Sequence, residues 1–126
     1  MTGAPPAFIH SPLFINFERF EVKSRARVEA IAQKVSTICE PLGRRVHAIV
    51  NYEGFELDRD IEDAWAEMVS TMVQRYYVSV TRFTTSAFLR AKLGDALAKR
   101  SAAPHVFETE QEARAHLKAQ SISGSA

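Results

Sequence analysis

The chain is predicted to fold as an α/β protein, with a mixed sheet of four to five strands and about four helices. Three observations point there. Short apolar or β-branched runs alternate with longer amphipathic stretches along the 126 residues. The amphipathic stretches carry apolar residues at spacings of three and four, as a helix with one buried face requires. The order is strands first, then helix, strand, helix, strand, helix, strand, helix, which suits a helix–sheet sandwich with a largely parallel or mixed sheet. The length fits one domain with a single core.

The start, "MTGAPPA", and the end, "SISGSA", are small and polar and read as frayed tails. Residues 1–12 are therefore expected to be a flexible tail, 13–118 the single domain, and 119–126 a disordered tail. "LFINF", Leu13 to Phe17, is the first strand, and "FIHS" just before Pro12 could supply a short edge strand in a tight hairpin. Ser24 is placed to cap a helix whose inward stripe is Val28, Ile31, Val35, Ile38 and Cys39. Pro41 and Gly43 end it, because proline cannot continue the bonding and glycine accepts a left-handed turn.

"RVHAIVNY", Arg45 to Tyr52, is the next strand. Asp58 or Asp60 is expected to cap a second helix whose stripe of Ile61, Ala64, Trp65, Met68, Val69, Met72 and Val73 is the strongest in the chain. "YYVSVTRF", Tyr76 to Phe83, is a strand by its branched and aromatic content. A third helix carries Phe88, Leu89, Leu93, Ala96 and Leu97. A short strand, "HVFE", precedes a last helix opened by Thr109 and Glu112, whose spacing is that of a capping box.

One phrase occurs twice. "INFERFEV", Ile15 to Val22, and "VNYEGFEL", Val50 to Leu57, share Asn, an aromatic, Glu, a variable residue, Phe, Glu and an aliphatic. Each ends a strand and leads into a helix. Two short copies do not make a repeat architecture; they are either coincidence or the same solution to the same strand exit, and no function is assigned to them.

Composition narrows the function classes. A net charge of +1 gives no excess to steer a polyanion, and the basic residues Lys23, Arg25, Arg27, Arg44, Arg45, Lys99 and Arg100 lack an aromatic stacking platform, so nucleic-acid binding is not expected. The single cysteine, Cys39, can form no intramolecular disulfide and reads as a buried reduced thiol. No apolar run approaches the roughly 18 residues of a membrane span, and the first residues do not resemble a secretory leader, so the expected location is cytoplasmic. No HExxH, P-loop or GxGxxG phrase is present, and His10, His47, His105 and His116 stand in no recognisable catalytic setting. No catalytic residue, cofactor or metal ligand is assigned. Glu53, at a strand end, is the one suggestive carboxylate for an enzyme acting alone, and a capping or solvated acid is the favoured reading.

The best candidate for a site is the joint "VTRFTTSAFLRAKLG", Val80 to Gly94. A helix starting at Thr84 to Ser86 presents unpaired N–H groups, and the hydroxyls of Thr84, Thr85 and Ser86 with the guanidiniums of Arg82 and Arg90 suit an anion or phosphate. The same hydroxyls serve equally as plain caps.

From Leu13 to Leu117 the chain resembles the STAS domain (sulphate transporter and anti-sigma-factor antagonist), most clearly in its finish, "HVFETEQEARAHL". A closer resemblance is to the STAS-like segment at the C-terminal end of some bacterial fused acyl-CoA:acetate/3-ketoacid CoA transferases. It rests on "LFINFERFEV", "VNYEGFELD", "IEDAWAEMV", "YYVSVTRFTTSAFLRAKLGDALAKR" and "PHVFETEQEA". The resemblance implies a STAS-like sandwich and a non-catalytic interaction or regulatory accessory domain. Its partner would be a CoA transferase domain or subunit, and if the chain is part of an enzyme, that enzyme is a CoA transferase. The alternative is a small-ligand domain holding CoA or a phosphate-type anion through Arg82, Thr84, Thr85, Ser86 and Arg90. Regulatory STAS proteins carry a phosphorylatable hydroxyl in an Asp-Ser-x-Gly type phrase. The comparable exit here, "GFELDRDIED", offers Asp58 and Asp60 and no hydroxyl. A homodimer is a further option, with Tyr76, Tyr77 and Phe83 available for an interface or for the core.

Overall fold

Strands β1 (Leu13–Asn16), β3 (Val46–Asn51) and β5 (Tyr77–Phe83) form a sheet in the order β1-β3-β5, and every one of its pairings is parallel. The computed structural model describes residues 12–100 and 105–124. The crossovers that parallel pairing demands are helices: α1 (Arg25–Cys39) between β1 and β3, and α2 (Glu62–Tyr76) between β3 and β5. A second, two-stranded parallel sheet joins β2 (Glu21–Val22) to β4 (Glu56–Leu57). The chain continues with α3 (Ala87–Ala98) and α4 (Glu110–Gly124).

Among the described residues the pairing is wholly parallel rather than mixed, and the five strands divide three and two between two sheets instead of sharing one of four to five strands. The expected edge strand "FIHS" lies outside the described residues. The strand expected at "HVFE" contracts to one parallel bridge, Phe83 to Phe107, closed by Phe107 N–H on the Arg82 carbonyl at 2.7 Å and Thr84 N–H on the Phe107 carbonyl at 3.0 Å. Helical backbone in α4 runs past residue 118, into the segment read as a tail.

The core has two parts because the sheet has two faces. Ala48, Val50 and Tyr52 turn towards α1 and α2 and join Val28, Ile31, Val35, Trp65, Val69 and Met72, and Leu89, Leu93 and Leu97 of α3 extend the same cluster. Ile49 and Phe83 turn the other way, against Ala113 and Leu117 of α4. The alternation along β3 thus buries both of its faces, as a central parallel strand requires.

Local signals act as expected at several helix ends. Ser24 Oγ accepts from Arg27 N–H at 3.2 Å, Gly43 closes the turn after α1 at φ 66°, and Thr109 and Glu112 exchange both capping-box bonds. Two expectations are corrected. Neither Asp58 nor Asp60 caps α2 through its side chain; a short 3₁₀ turn, Arg59–Ile61, leads into the helix, and Asp58 contributes its backbone carbonyl to Ile61 N–H. Ile38 and Phe88, assigned to inward stripes, are 46% and 78% exposed. Both lie at the margin of their stripe, where a change of helix rotation of a few tens of degrees turns a side chain from core to solvent.

The two copies of the repeated phrase are neighbours in space. Leu13 to Asn16 faces Ala48 to Asn51, and Glu21 and Val22 face Glu56 and Leu57, with the same offset in both sheets. Backbone bonds between the sheets continue the alignment: Phe17 N–H to Asn51 O, Arg19 N–H to Glu53 O, and Glu56 N–H to Phe20 O, all at 2.8–2.9 Å. Arg19 and Gly54, equivalent in the two copies, both adopt the left-handed conformation, at φ 57° and 67°. Their aromatics converge on Trp65: Phe17 lies edge-on to it at 5.4 Å, Phe55 lies 5.1 Å from it, and Tyr52 packs on Phe55 at 4.9 Å.

Candidate functional site

The C-terminal ends of parallel strands are where an open α/β sheet presents its exits to a ligand. In this chain the exits of β3 and β5 meet at Glu53. Asn51 first bends the chain: its Oδ1 accepts Glu53 N–H at 2.8 Å, as Asn16 Oδ1 accepts Glu18 N–H at 3.0 Å in the other copy. The turn carries the Glu53 carboxylate across to the end of β5. There Oε1 accepts from the Thr84 hydroxyl at 2.9 Å and from Thr85 N–H, and both carboxylate oxygens lie within 3.0 Å of the Thr85 hydroxyl. Burial alone would raise the Glu53 pKa. The Thr85 N–H and the two threonine hydroxyls outweigh it and hold the carboxyl below its usual range. Glu53 is a carboxylate at neutral pH, a weak base, and its oxygens are occupied.

The five residues assigned to an anion site part company here. Thr84 and Thr85 converge on Glu53. Ser86 caps α3, its Oγ accepting from Leu89 N–H at 3.1 Å, and the Thr84 hydroxyl accepts Ser86 N–H at 3.2 Å. Arg90 folds back to donate from Nη1 to the Thr84 carbonyl at 2.8 Å. Arg82 lies away from the joint: 1% exposed, it enters the core between the sheet and the α1–α2 layer, beside Tyr52, Trp65 and Tyr77. Burial presses its pKa down, and its interaction with the Tyr52 hydroxyl opposes that. Burial likewise raises the Tyr52 pKa, against the charge of the neighbouring Arg82 guanidinium. The guanidinium thus anchors the core of β5 to the exit of β3.

The sequence reading did not connect Glu53 to the threonines. The signal was available in the repeated Asn-aromatic-Glu phrase, which marks Glu53 as the product of a sharp Asx turn. A second pairing it missed is His47 Nδ1 with the Ser79 hydroxyl at 2.7 Å, across β3 and β5 near their N-terminal ends. Among the described residues no carboxylate hydrogen-bonds the other ring nitrogen, so an orienting acid for nucleophilic chemistry is lacking there.

Beside the joint, a shallow groove of about 390 Å³ is bounded by Gly54 to Asp58, Ser86, Phe88 and Lys92. Lys92 is held by Glu62 at 3.3 Å and by the Leu57 carbonyl, beside Phe88, the most exposed large apolar side chain among the described residues. No helix among the described residues is long and apolar enough to cross a membrane. No protein-family model, curated protein or solved structure matches the chain.

Proposed function

We propose that this is a non-catalytic STAS-like interaction or regulatory accessory domain, related to those attached to acyl-CoA:acetate/3-ketoacid CoA transferases. The observation that carries the reading is the occupied strand exit. Of the groups that would receive a phosphate or CoA pyrophosphate at Thr84 to Ser86, the hydroxyls of Thr84 and Thr85 and the Thr85 amide already hold an internal anion, Glu53. An external anion would have to expel a carboxylate whose charged form the site stabilises. Glu53 itself is poorly disposed to act as a nucleophile or base, because Thr84 and Thr85 donate to its carboxylate and its basicity is lowered. The packing of α1 and α2 on one face and α4 on the other supports a sandwich of the STAS kind, and exposed Phe88 and Ile38 suit protein contact.

The test is a pair of NMR amide titrations of the domain, one with a purified acyl-CoA:acetate/3-ketoacid CoA transferase and one with CoA and inorganic phosphate. Saturable loss of signal with the enzyme and a flat response to CoA and phosphate are expected. Saturable shifts confined to Thr84–Arg90 on adding CoA would instead establish the small-ligand reading.

A further inference from the structure

Among the described strands β1 has one paired edge and one open edge, and its composition does not suit an open edge. Leu13 and Ile15 face the α1–α2 layer, Phe14 faces Phe83 and α4, and "LFIN" carries no charge. Edge strands are ordinarily blunted by charge, proline, a bulge or a cover, and within the described residues of the strand and its approach Pro12, before the paired span, is the one of that kind. Packing on the α1–α2 layer on one face and on Phe83 and α4 on the other accounts for a run that is apolar on both faces, and among the described strands its outward backbone edge is unpaired. Along the edge, between β1 and α1, runs an apolar groove of about 280 Å³ that includes Leu13, Phe14, Ile15, Phe20, Lys34 and Ile38. Phe14 is 40% exposed and Ile38 46%.

Hydrogen bonding at the exits says what chemistry belongs on that edge. Asn16 Oδ1 accepts Glu18 N–H at 3.0 Å and Asn51 Nδ2 at 3.1 Å. The backbone donor settles which end of the amide is oxygen, so Asn16 Nδ2 is turned away from β3. At each described step the exit donates towards the β1 side: Thr84 and Thr85 to Glu53, then Asn51 to Asn16 and, at 3.4 Å, to Glu18. One further step places an acceptor beyond Asn16. Exposed Lys34 on the groove rim and Arg114, 5.6 Å from the Phe14 ring, put a cation on each face of the edge.

We infer that β1 is a docking strand for an extended apolar segment of a protein partner. The segment adds parallel to β1 and sets a carboxylate against Asn16 Nδ2 and Lys34. The inference deepens the interaction-domain reading and rests on it. A suitable probe is a synthetic peptide, LFINFERFEV, since this phrase already supplies the acceptors that Asn51 uses.

In an NMR titration with that peptide, saturable shifts are expected at residues 13–16, Lys34 and Ile38, with slowed hydrogen exchange along β1. Asn16→Asp keeps the oxygen that accepts from Glu18 N–H and Asn51 but removes the outward donor. It should weaken binding about tenfold, the size of one charge-assisted hydrogen bond. Lys34→Glu, on the exposed rim, should weaken it several-fold with the unfolding midpoint unchanged. Absence of saturable binding overturns the inference. So does exchange protection of the outward β1 amides before peptide is added, which would assign the edge to residues 1–11, or to a second copy if protection rises with protein concentration. A transferase that binds without perturbing β1 overturns this inference and leaves the accessory reading standing; peptide binding without transferase binding does the reverse.

Discussion

The two copies of the Asn-aromatic-Glu phrase share a backbone path and differ in what surrounds them. In the copy at Ile15–Val22 the strand is at the edge of the sheet among the described strands; Asn16, Glu18 and Arg19 are exposed, and Glu18 meets the Asn51 amide at 3.4 Å. In the copy at Val50–Leu57 the strand is central; Tyr52 is 1% exposed, and Glu53 collects the hydroxyls and amide of the β5–α3 joint. The lesson is that the phrase dictates an Asx turn and a left-handed residue, while position in the sheet decides whether its carboxylate closes a joint or faces solvent.

The largest expected effect breaks the comparison at its aromatic position. Tyr52→Ala should cost about 3–5 kcal/mol in urea unfolding, because it empties a fully buried site against Phe55 and Trp65. Phe17→Ala, at the half-buried equivalent, should cost clearly less. Equal losses would show that the two copies are equally embedded.

At the carboxylates the contrast should be sharper in ratio and smaller in size. Glu53→Ala leaves the buried Thr84 hydroxyl and the Thr85 N–H without their acceptor and should cost about 2 kcal/mol. Glu18→Ala, on the surface, should stay within about 0.5 kcal/mol. The pH dependence follows from the lowered pKa of Glu53. Its contribution is complete above the unfolded-state value of about 4.3 and is lost as pH falls through the lower folded-state value, where protonation opposes the native contacts. Urea midpoints of wild type and Glu53→Gln should therefore converge as the buffer is taken from neutral to acid. A gap that stays constant with pH would remove the charge from the account.

The smallest effect concerns the left-handed position. Gly54→Ala should cost about 1–2 kcal/mol: its φ of 67° disfavours any side chain, and the new Cβ would stand 3.1 Å from Arg19 Cγ. Arg19→Gly relieves the matching strain in the other copy and should raise stability by up to about 1 kcal/mol. A loss on Arg19→Gly would mean that the arginine side chain contributes more to the fold than its backbone conformation costs.

Much of this architecture is legible in the residues. Ser24, Gly43 and the Thr109/Glu112 box act within three or four positions of themselves, and the inward pairs Val28/Ile31 and Trp65/Val69 follow from helical periodicity alone. The candidate site was legible only in part. Thr84, Thr85 and Ser86 were visible as a hydroxyl-bearing helix start, but the acceptor of Thr84 and Thr85 lies more than thirty positions earlier in the chain. Arg82 carries a charge that ordinarily marks a surface, and only the placement of Tyr52, from the neighbouring strand exit, makes its burial tolerable.

The sequence by itself determined the α/β class, the approximate strands and helices, three of the helix ends and the doubled strand exit, because these depend on contacts within one turn or one strand. The tertiary structure alone decided that the two exits lie side by side, that the Glu53 carboxylate reaches Thr84 and Thr85 at the β5–α3 joint, and that Arg82 turns inward while Ile38 and Phe88 turn outward. Those outcomes depend on strand order, register and helix rotation, which bring together residues that no local pattern connects.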